Sequence, residues 1–446
     1  MAQTLNNEKS IALGERFDES YSSLHSNFKG SISSAHHKMF IEKAEGSRVW
    51  DVDGNEFIDW VGALGPLILG HRHPELVESL KQFLDVQGTV LGSGIYQTED
   101  DLEVGEMICK FMPCAEKVKM CTSGSEAIQL AIRMARAHTG RSRFIRFGSH
   151  YHGWIDNVVV GGIDKQPDGR PFPSTQSEDM NFYQAEGAAP SALEESFLLP
   201  WNDIEVLEDT LRQYGDEISM IIFEAFGAQN MCRSPLPGFL ERVRELCDEY
   251  GVVMCFDEIV TGFRIGLGGA QEYYGVTPDL AVIGKAAAGG LPFAAVVGKS
   301  EIMKLLGERR VLGPGTFNGY PLGMRAALIT MSILSRNNGE AYTHRDKVQA
   351  FLTDGFHSAA RKNGIDMAVQ QSPGSMSLHL GIKEGTVFQR PEDLAGFRYR
   401  NFFQLQPKLY EESIMVMPDK MYVSVAHTME DAQQTIDAVD RVLSTF

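Results

Sequence analysis

Apolar and polar positions alternate between two periods along the central part of the chain, from about residue 76 to 297. Short apolar runs at residues 219–223, 252–256 and 280–283 predict buried strands, and the amphipathic stretch 239–250 predicts a helix between two of them. This alternation predicts an α/β protein with a mostly parallel central sheet that is covered by helices on both faces. Ligands of such sheets bind at the carboxyl ends of the strands.

The two flanks of this region show other patterns. Residues 40–61 alternate over short strands with turns at Gly46 and Gly54, which predicts a small antiparallel meander. The Asp51-x-Asp53-Gly54 motif favours a hairpin turn over a calcium loop, because the glycine comes too early and a later Glu ligand is missing. We therefore expect an N-terminal segment (1–70), a large domain (71–322) and a small C-terminal α+β domain (323–446).

Composition narrows the class of protein and its partners. The 446 residues are 43% hydrophobic and carry a net charge of −18, which argues against nucleic acid or an anionic membrane as the main partner. There is no apolar run of membrane-spanning length, and the first residues lack the pattern of a secretory signal. The six cysteines form no Cys-x-x-Cys pair, so we expect buried, reduced thiols and a cytoplasmic protein.

The first candidate for chemistry is the Ser123-Gly124-Ser125 segment, which follows a predicted strand and begins a predicted helix. Free backbone N–H groups, small side chains and hydroxyls at a helix N-terminus suit a phosphate group. An ordinary helix cap explains the same residues, and the segment alone favours that simpler explanation.

Two further candidates end predicted strands. Asp257 follows the run 252–256, where a buried carboxylate needs a cationic partner such as a protonated pyridine nitrogen, or else caps the next helix. Lys285 follows the run 280–283 and precedes small residues, so burial should favour a neutral amine that can attack an aldehyde. A single strand–helix–strand crossover separates the two residues, which predicts that they lie on nearby strand ends.

Two other segments are less informative. His150-Tyr151-His152 follows a predicted strand, where two histidines suggest a metal site but no third ligand is evident, so an aromatic ring stacked on a planar cofactor is the better hypothesis. The glycine-rich loop 313–321 contains Thr316 and by itself is a generic turn cluster.

Together these segments resemble the class III aminotransferases of fold type I, which depend on pyridoxal 5′-phosphate (PLP). The match is strongest from residue 256 to 292, with Phe-Asp-Glu-Ile-Val-Thr-Gly-Phe-Arg, then Gly-Lys and Gly-Gly-Leu-Pro, and it extends over about residues 40–446. Within the class the chain is most similar to the glutamate-1-semialdehyde 2,1-aminomutase group, through segments such as Val-Asp-Gly-Asn and Ser-Val-Ala-His-Thr.

The resemblance implies a role for each candidate. Lys285 would carry PLP as a Schiff base and shuttle a proton, Asp257 would pair with the pyridine nitrogen, and Ile259 and Tyr151 would pack on the two ring faces. The phosphate would bind to Ser123, Gly124 and Ser125, and Thr316 would reach the phosphate of a neighbouring subunit, which implies a homodimer with shared sites. Glu224 would lie near the cofactor, although Ala225 follows it where the family usually has proline. No metal is expected.

Two departures bear on the reaction. His36 aligns with the position where the aminomutases usually carry an arginine for the substrate carboxylate, and the polar stretch 164–196 predicts a long loop or lid that the compact aminomutases lack. We therefore expect an aminotransferase that passes an amino group through a pyridoxamine form to a keto or aldehyde acceptor. A ketone of secondary metabolism, even one tethered to a carrier protein, fits this hypothesis. The alternatives are glutamate-1-semialdehyde 2,1-aminomutase and, from another class, a non-catalytic PLP-fold binding protein.

Overall fold

The structure is a computed structural model that describes residues 5–20, 38–87, 96–159, 187–228, 231–390, 393, 400–417 and 420–446. The predicted loop at 164–196 falls largely outside the described residues, and His36 falls outside them entirely.

The described chain alternates helices and strands. The helices are α1 (Glu8–Ser20), α2 (Pro74–Gln87), α3 (Glu99–Phe111), α4 (Gly124–Thr139), α5 (Asp156–Val159), α6 (Ile204–Tyr214), α7 (Phe239–Tyr250), α8 (Gly269–Tyr274), α9 (Ser300–Gly307), α10 (Pro321–Ser335), α11 (Glu340–Lys362), α12 (Arg400–Glu411) and α13 (Met429–Leu443). The strands are β1 (Ile41–Glu45), β2 (Arg48–Asp51), β3 (Glu56–Asp59), β4 (Lys117–Cys121), β5 (Arg143–Phe147), β6 (Ser196–Leu199), β7 (Ile218–Phe223), β8 (Val253–Glu258), β9 (Leu280–Gly284), β10 (Ala294–Gly298), β11 (Met367–Ser372), β12 (Ser375–Leu380), β13 (Ile414–Met415) and β14 (Met421–Tyr422).

The largest sheet has seven strands in the order β4-β10-β9-β8-β7-β5-β6. The strands from β9 to β6 pair in parallel, whereas β10 pairs antiparallel with both of its neighbours, β4 and β9. Strands β7, β8 and β9 are buried along their whole length, because helices cover a parallel sheet on both faces. The predicted α/β fold with a mostly parallel sheet is therefore confirmed, and the antiparallel insertion of β10 is an addition to it.

The described residues also form two smaller sheets. Strands β1, β2 and β3 pair antiparallel, and β13 joins them by pairing in parallel with β3. Strands β11, β12 and β14 form an antiparallel sheet. The Asp51 carboxylate accepts the N–H groups of Asp53 and Asn55, so the side chain of Asp51 closes the turn that holds the Asp-x-Asp-Gly motif.

The described chain forms two compact units. One contains residues 1–78, 336–387 and 396–446, and its core gathers apolar residues of β3, α11, α13 and the β11–β12 sheet. The other contains residues 79–335 and 388–395, and its core packs α4 against the seven-stranded sheet. A capping box begins α4 and another begins α13, so local sequence signals fix the start of a core helix in each unit.

Two expectations from composition can be compared with the described residues. No helix among them is long and apolar enough to cross a membrane. Five of the six cysteines are buried, but Cys109 is exposed on α3, which corrects the expectation that all six thiols are buried.

Candidate active site

The register of the large sheet brings the candidate segments to one edge. Ala294 of β10 lies opposite Cys121 of β4 on one side and opposite Gly284 of β9 on the other. The start of α4 after β4 and Lys285 after β9 therefore flank the same point of the sheet.

The parallel strands extend this edge. Glu258 of β8 lies opposite Ile283 of β9, and Phe223 of β7 lies opposite Phe256 of β8. Asp257 at the end of β8, Glu224 after β7 and the loop after β5 thus follow at neighbouring strand ends. The structure brings together all the predicted site residues except Thr316, at the carboxyl edge where open α/β sheets bind ligands.

The N-terminus of α4 is built to leave two N–H groups available. Glu126 turns back to accept the N–H groups of Thr122 and Ser123 at 3.0 and 3.1 Å, and the Ser123 hydroxyl accepts the N–H of Glu126. Because the first four N–H groups of a helix lack intrahelical acceptors, those of Gly124 and Ser125 remain to face a ligand. The same segment can therefore cap the helix with some of its N–H groups and bind an anion with others. The helix dipole also favours negative charge at this end of α4.

Ser125 also contacts the loop that follows β5. Its Oγ accepts the N–H of Trp154 at 3.3 Å. Gly153 has a φ of +96°, and a Cβ at this position would overlap the Ser125 Oγ, so only glycine fits between the two segments.

Asp257 is almost fully buried, and both of its carboxylate oxygens have protein donors. Oδ1 accepts the N–H of Ile259 at 3.0 Å, and Oδ2 lies 2.7 Å from Nδ1 of His152. A buried carboxylate held in this way can still accept one more hydrogen bond from a cationic ring nitrogen, because each oxygen has two lone pairs.

Ile259 packs between the segments that lead to the two neighbouring candidates. A Cβ at Gly124 would stand 3.1 Å from the Ile259 Cδ1, and one at Gly284 would stand 2.9 Å from the same atom. The two glycines therefore let the Ile259 side chain lie against the backbone at the start of α4 and at the end of β9. An apolar side chain at this position suits the face of a planar ring.

Lys285 occupies an unusual backbone conformation. Its φ is +42°, in the left-handed region that residues other than glycine rarely adopt, and it begins a short 3-10 turn (Lys285–Ala288) after β9. The three alanines of that turn are fully buried, while Lys285 itself is partly buried. Such strain is stored mainly at functional sites.

The loop after β5 ties together the ends of three strands. The N–H of Tyr151 donates to Oε1 of Glu224 at 2.9 Å, and the N–H of Glu224 donates to Nδ1 of His150 at 3.2 Å. Burial raises the pKa of Tyr151, and the Asp257 charge adds to this, so the phenol stays neutral. Burial, assisted by His152 and Arg233, holds the pKa of His150 well below its usual value, so this imidazole is neutral too.

Thr316 lies apart from the other candidates. It is exposed in the irregular segment before α10, and a hydrogen bond of 3.1 Å from Thr122 Oγ1 to Asn318 Oδ1 links that segment to the residue before Ser123.

Sequence reasoning missed the roles of two polar residues beside Asp257. His152, considered only as a metal ligand, contacts Asp257 instead. Glu258 is fully buried, where it accepts the hydroxyl of Thr261 and the N–H groups of Ala270 and Gln271, and burial raises its pKa. The signal available in the sequence was its position, since side chains that alternate along a buried strand end must each find a partner.

The described residues contain no group of His, Cys, Asp and Glu side chains arranged to hold a metal ion. Nδ1 of His150 and Nδ1 of His152 each have a protein partner, and their rings are 6.1 Å apart.

The donor set fits PLP. An anion site at the start of α4, a buried carboxylate for a ring nitrogen, an isoleucine for a ring face and a lysine for an aldehyde all lie at one sheet edge. Each matches one part of that molecule, namely its phosphate, its pyridine and its carbonyl carbon.

Comparison with known sequences identifies the family. The sequence profile described as Aminotransferase class-III matches residues 31–376. Glutamate-1-semialdehyde 2,1-aminomutase 2 of Brevibacillus brevis is 35% identical, over 90% of this chain and 90% of that protein. Glutamate-1-semialdehyde 2,1-aminomutase of Chloroherpeton thalassium is 37% identical, over 90% of this chain and 89% of that protein.

Solved structures agree with this placement. An omega-transaminase from Sphaerobacter thermophilus superimposes with a TM-score of 0.85 at 26% identity, covering 97% of this chain and 96% of that one. A glutamate-1-semialdehyde-aminomutase from Pseudomonas aeruginosa PAO1 has a TM-score of 0.82 at 21% identity, covering 98% and 94%, and shows the shared fold. The predicted resemblance, fold type and enzyme class are confirmed: the chain belongs to the class III aminotransferases, a family of PLP-dependent enzymes.

Proposed function

We propose that this enzyme transfers an amino group from an amino donor to a keto or aldehyde acceptor, with Lys285 and Asp257 as its catalytic residues. The observation that carries the proposal is the convergence of Lys285, Asp257 and the start of α4 at one sheet edge. Bound PLP supplies a carbonyl carbon for the amino group and a ring that takes up the electron pair left at the substrate α-carbon.

Each residue has a part in this proposal. Lys285 would hold the cofactor through its side-chain amine and, once released, would take up and return the proton of the substrate α-carbon. Asp257 keeps the ring nitrogen protonated, because a buried carboxylate favours a neighbouring positive charge. Ile259 and Tyr151 restrict the ring from its two faces, and Glu224 fixes the backbone of Tyr151.

The phosphate has a separate set of ligands. Ser123, Gly124 and Ser125 bind it through hydroxyls and through the N–H groups at the start of α4. These contacts anchor the cofactor away from the reacting carbon, so binding energy there orients the ring without opposing the chemistry.

A second candidate is glutamate-1-semialdehyde 2,1-aminomutase, which the names of the sequence relatives favour. A mutase returns the amino group to the same molecule and needs no separate acceptor. The histidine at position 36, where the aminomutases usually have an arginine, supports the intermolecular reaction.

A single-turnover spectral assay separates the two. The PLP enzyme is mixed with glutamate, alanine, simple amines or glutamate-1-semialdehyde, and keto acceptors, including a carrier-tethered ketone, are then added. Loss of the cofactor absorption band with release of a keto product, and recovery only after an acceptor is added, supports the aminotransferase. Conversion of glutamate-1-semialdehyde to 5-aminolevulinate without an acceptor would replace it with the mutase.

We also propose that the enzyme works as a homodimer in which Thr316 serves the neighbouring site. Four large apolar side chains of this unit are exposed, namely Leu102 (63%), Trp154 (70%), Leu312 (62%) and Phe317 (59%). Two of them belong to segments that contact α4: the carbonyl oxygen of Leu312 accepts from Arg133, and the N–H of Trp154 donates to Ser125 at the start of the helix. Exposed apolar side chains of this size favour an interaction surface, and a second copy bound there would bring its Thr316 close to the start of α4.

Mixed dimers test the shared site. Lys285→Ala protomers, which retain Thr316, are mixed with Thr316→Val protomers, which retain Lys285. If Thr316 acts across the interface, the mixture regains wild-type PLP affinity at the sites that retain Lys285, whereas Thr316→Val alone binds PLP more weakly. If mixing restores nothing, Thr316 serves its own subunit or none.

A further inference from the structure

Strand β8 ends in two buried carboxylates, of which the proposed reaction uses only Asp257. Side chains alternate along a strand, so Glu258 faces away from the side that Asp257 serves. Glu258 is 0% exposed, and its Oε2 accepts the hydroxyl of Thr261 and the N–H of Ala270, whereas its Oε1 accepts the N–H of Gln271 at 3.2 Å. These donors compensate for the burial of the carboxylate.

The loop from residue 258 to 271 is shaped around this glutamate. The carbonyl oxygen of Glu258 accepts the N–H of Gly262 at 2.8 Å, and a Cβ at Gly262 would stand 2.7 Å from that oxygen. Gly269 has a φ of +62°, and its Cβ would stand 2.6 Å from a carboxylate oxygen of Glu258. The two glycines therefore let the loop lie directly against both the main chain and the side chain of Glu258.

The hydrogen bonds continue from this loop to another segment of the unit. Gln271 is 1% exposed, and its Oε1 accepts the N–H of Cys114 at 2.9 Å. Cys114 lies just before β4, the strand that leads to the start of α4. Glu258 thus belongs to a buried network that joins the end of β8, beside the cofactor ring, to the strand that leads to the phosphate site.

Ile259 is the point where this network reaches the candidate site. Its N–H donates to Oδ1 of Asp257 at 3.0 Å, and its Cδ1 would stand 2.9 Å from a Cβ at Gly284. Because Ile259 follows Glu258 directly, a shift of the backbone at Glu258 displaces both the N–H that holds Asp257 and the side chain proposed for the ring face.

We propose that Glu258 is a positioning residue, whose buried carboxylate fixes the end of β8 so that Asp257 and Ile259 meet the cofactor ring in one orientation. The proposal rests on the proposed roles of Asp257 and Ile259 and deepens them. Glu258 acts through these two sequence neighbours, since its own carboxylate faces Thr261 and the start of α8.

Asp279 offers a matched control at the other edge of the sheet. It is buried, accepts the N–H of Met254 at 2.8 Å, and forms ion pairs with Arg244 and Lys299. It precedes β9, whereas Lys285 follows that strand. Asp279→Asn should therefore weaken a buried carboxylate network and lower Tm without disturbing the cofactor.

The test compares Glu258→Gln with Asp279→Asn in the PLP-loaded enzyme. Glu258→Gln keeps the shape of the side chain but places an NH2 group where a carboxylate oxygen accepted an N–H, so the loop loses at least one hydrogen bond. We expect PLP release on dialysis to become about threefold to tenfold faster, as the loss of one hydrogen bond implies. The circular dichroism of the cofactor band, which reports how the ring is held, should change as well.

Turnover provides the third readout. In Glu258→Gln, kcat should fall between about tenfold and 100-fold with KM changed less than about twofold, because the groups that act on the ring are displaced. Asp279→Asn should keep wild-type PLP release, circular dichroism and kcat. If the two variants lose Tm alike and Glu258→Gln also keeps all three wild-type values, the role of Glu258 is structural and the proposal is wrong.

A milder variant covers the case in which Glu258→Gln does not fold. Thr261→Val removes one donor from the same carboxylate and should change PLP release and circular dichroism in the same direction by a smaller amount. Wild-type values of both in Thr261→Val would then overturn the proposal.

Two of the readouts need no amino donor, so they separate this inference from the proposed function. If the wild type transfers no amino group to any acceptor but Glu258→Gln releases PLP faster than Asp279→Asn, the proposed function fails and the positioning role stands. If the wild type transfers amino groups and Glu258→Gln behaves like Asp279→Asn, the positioning role alone is wrong.

Discussion

At the scale of single residues, Lys285 shows how the backbone serves the chemistry. A lysine with a φ of +42° is strained, and the chain retains that strain between a buried strand and three buried alanines. The amine consequently leaves the end of β9 at the edge where Asp257 ends β8.

Replacing Lys285 tests the Schiff-base assignment. Lys285→Ala should fold and retain a cofactor site but lose turnover by at least about 1,000-fold, because no other amine takes its place. Lys285→Arg is the matched control, since it keeps length and charge but cannot form the imine, and it should be equally inactive. Steady-state turnover and the thermal unfolding midpoint check both variants. Wild-type turnover in either one contradicts the assignment.

Replacing Asp257 tests the electron sink. Asp257→Ala removes the carboxylate that we propose as the partner of the ring nitrogen, and kcat should fall by about 100-fold or more. Asp257→Glu keeps the charge on a longer side chain and should retain more activity than the alanine variant. Single-turnover loss of the cofactor band measures the chemical step directly. Similar rates in Asp257→Ala and the wild type would disprove the pairing.

The sequence was informative about these two residues for a physical reason. Each directly follows an apolar run, and the crossover between the runs limits how far apart their strand ends can lie. The partner of Asp257 was not predictable in the same way, because the side chain that reaches a strand end from the loop after β5 depends on the path of that loop. The contact of His152 with Asp257 was therefore identified only from the structure.

At the scale of elements, the contact between the start of α4 and the loop after β5 depends on a glycine. Gly153 has a φ of +96°, and any Cβ there meets the Ser125 Oγ. Gly140, at the end of α4, also has a positive φ of +74°, but nothing lies within 4 Å of its Cβ position. Both glycines therefore need a positive φ, but only Gly153 lies against another side chain, that of Ser125.

This pair allows a controlled prediction. Gly140→Ala should lower the free energy of unfolding by about 1 kcal/mol, from backbone strain alone. Gly153→Ala should cost about 1–3 kcal/mol more, because Ser125 must move, and it should also weaken PLP binding. Urea unfolding and PLP titration of both variants provide the measurement. Equal effects of the two substitutions would show that the contact with Ser125 is unimportant.

The element pattern explains what could be predicted of the sheet. The apolar runs correspond to β7, β8 and β9, because full burial on two faces imposes a continuous apolar sequence. The place of β10 between β4 and β9 has no such local signature, since strand order depends on pairing between distant segments. The same holds for β13, which pairs with β3.

At the scale of the whole molecule, a polar network around His427 connects distant parts of the sequence within the unit that contains both termini. The ring of His427 stacks on Trp60 with centroids 3.8 Å apart, and its Nε2 donates to the carbonyl oxygen of Asp59 at 3.0 Å. Its Nδ1 accepts the N–H of Ser424 at 3.0 Å, which requires the neutral Nε2–H tautomer. The N-terminal strands are thereby bonded to the segment before α13.

This network makes stability depend on pH. Burial lowers the pKa of His427 to about 4, although the charges of Asp431 and Asp59 act in the opposite direction. A histidine in an unfolded chain has a pKa of about 6.5. Between these two pH values, the His427 side chain is protonated in the unfolded protein and neutral in the folded protein. The contribution of His427 to stability is therefore complete above about pH 6.5 and is lost as the pH falls toward 4.

A substitution isolates this contribution from those of other groups. We expect the free energy of unfolding of the wild type to fall, between about pH 6.5 and 4, by up to roughly 3 kcal/mol more than that of His427→Gln, which cannot titrate. Urea unfolding followed by tryptophan fluorescence at a series of pH values gives both curves, and all other titrating groups are common to the two proteins. Parallel curves would mean that folding does not change the pKa of His427. In that case the burial of the ring, its stacking on Trp60 and its two hydrogen bonds would not oppose protonation in the folded state.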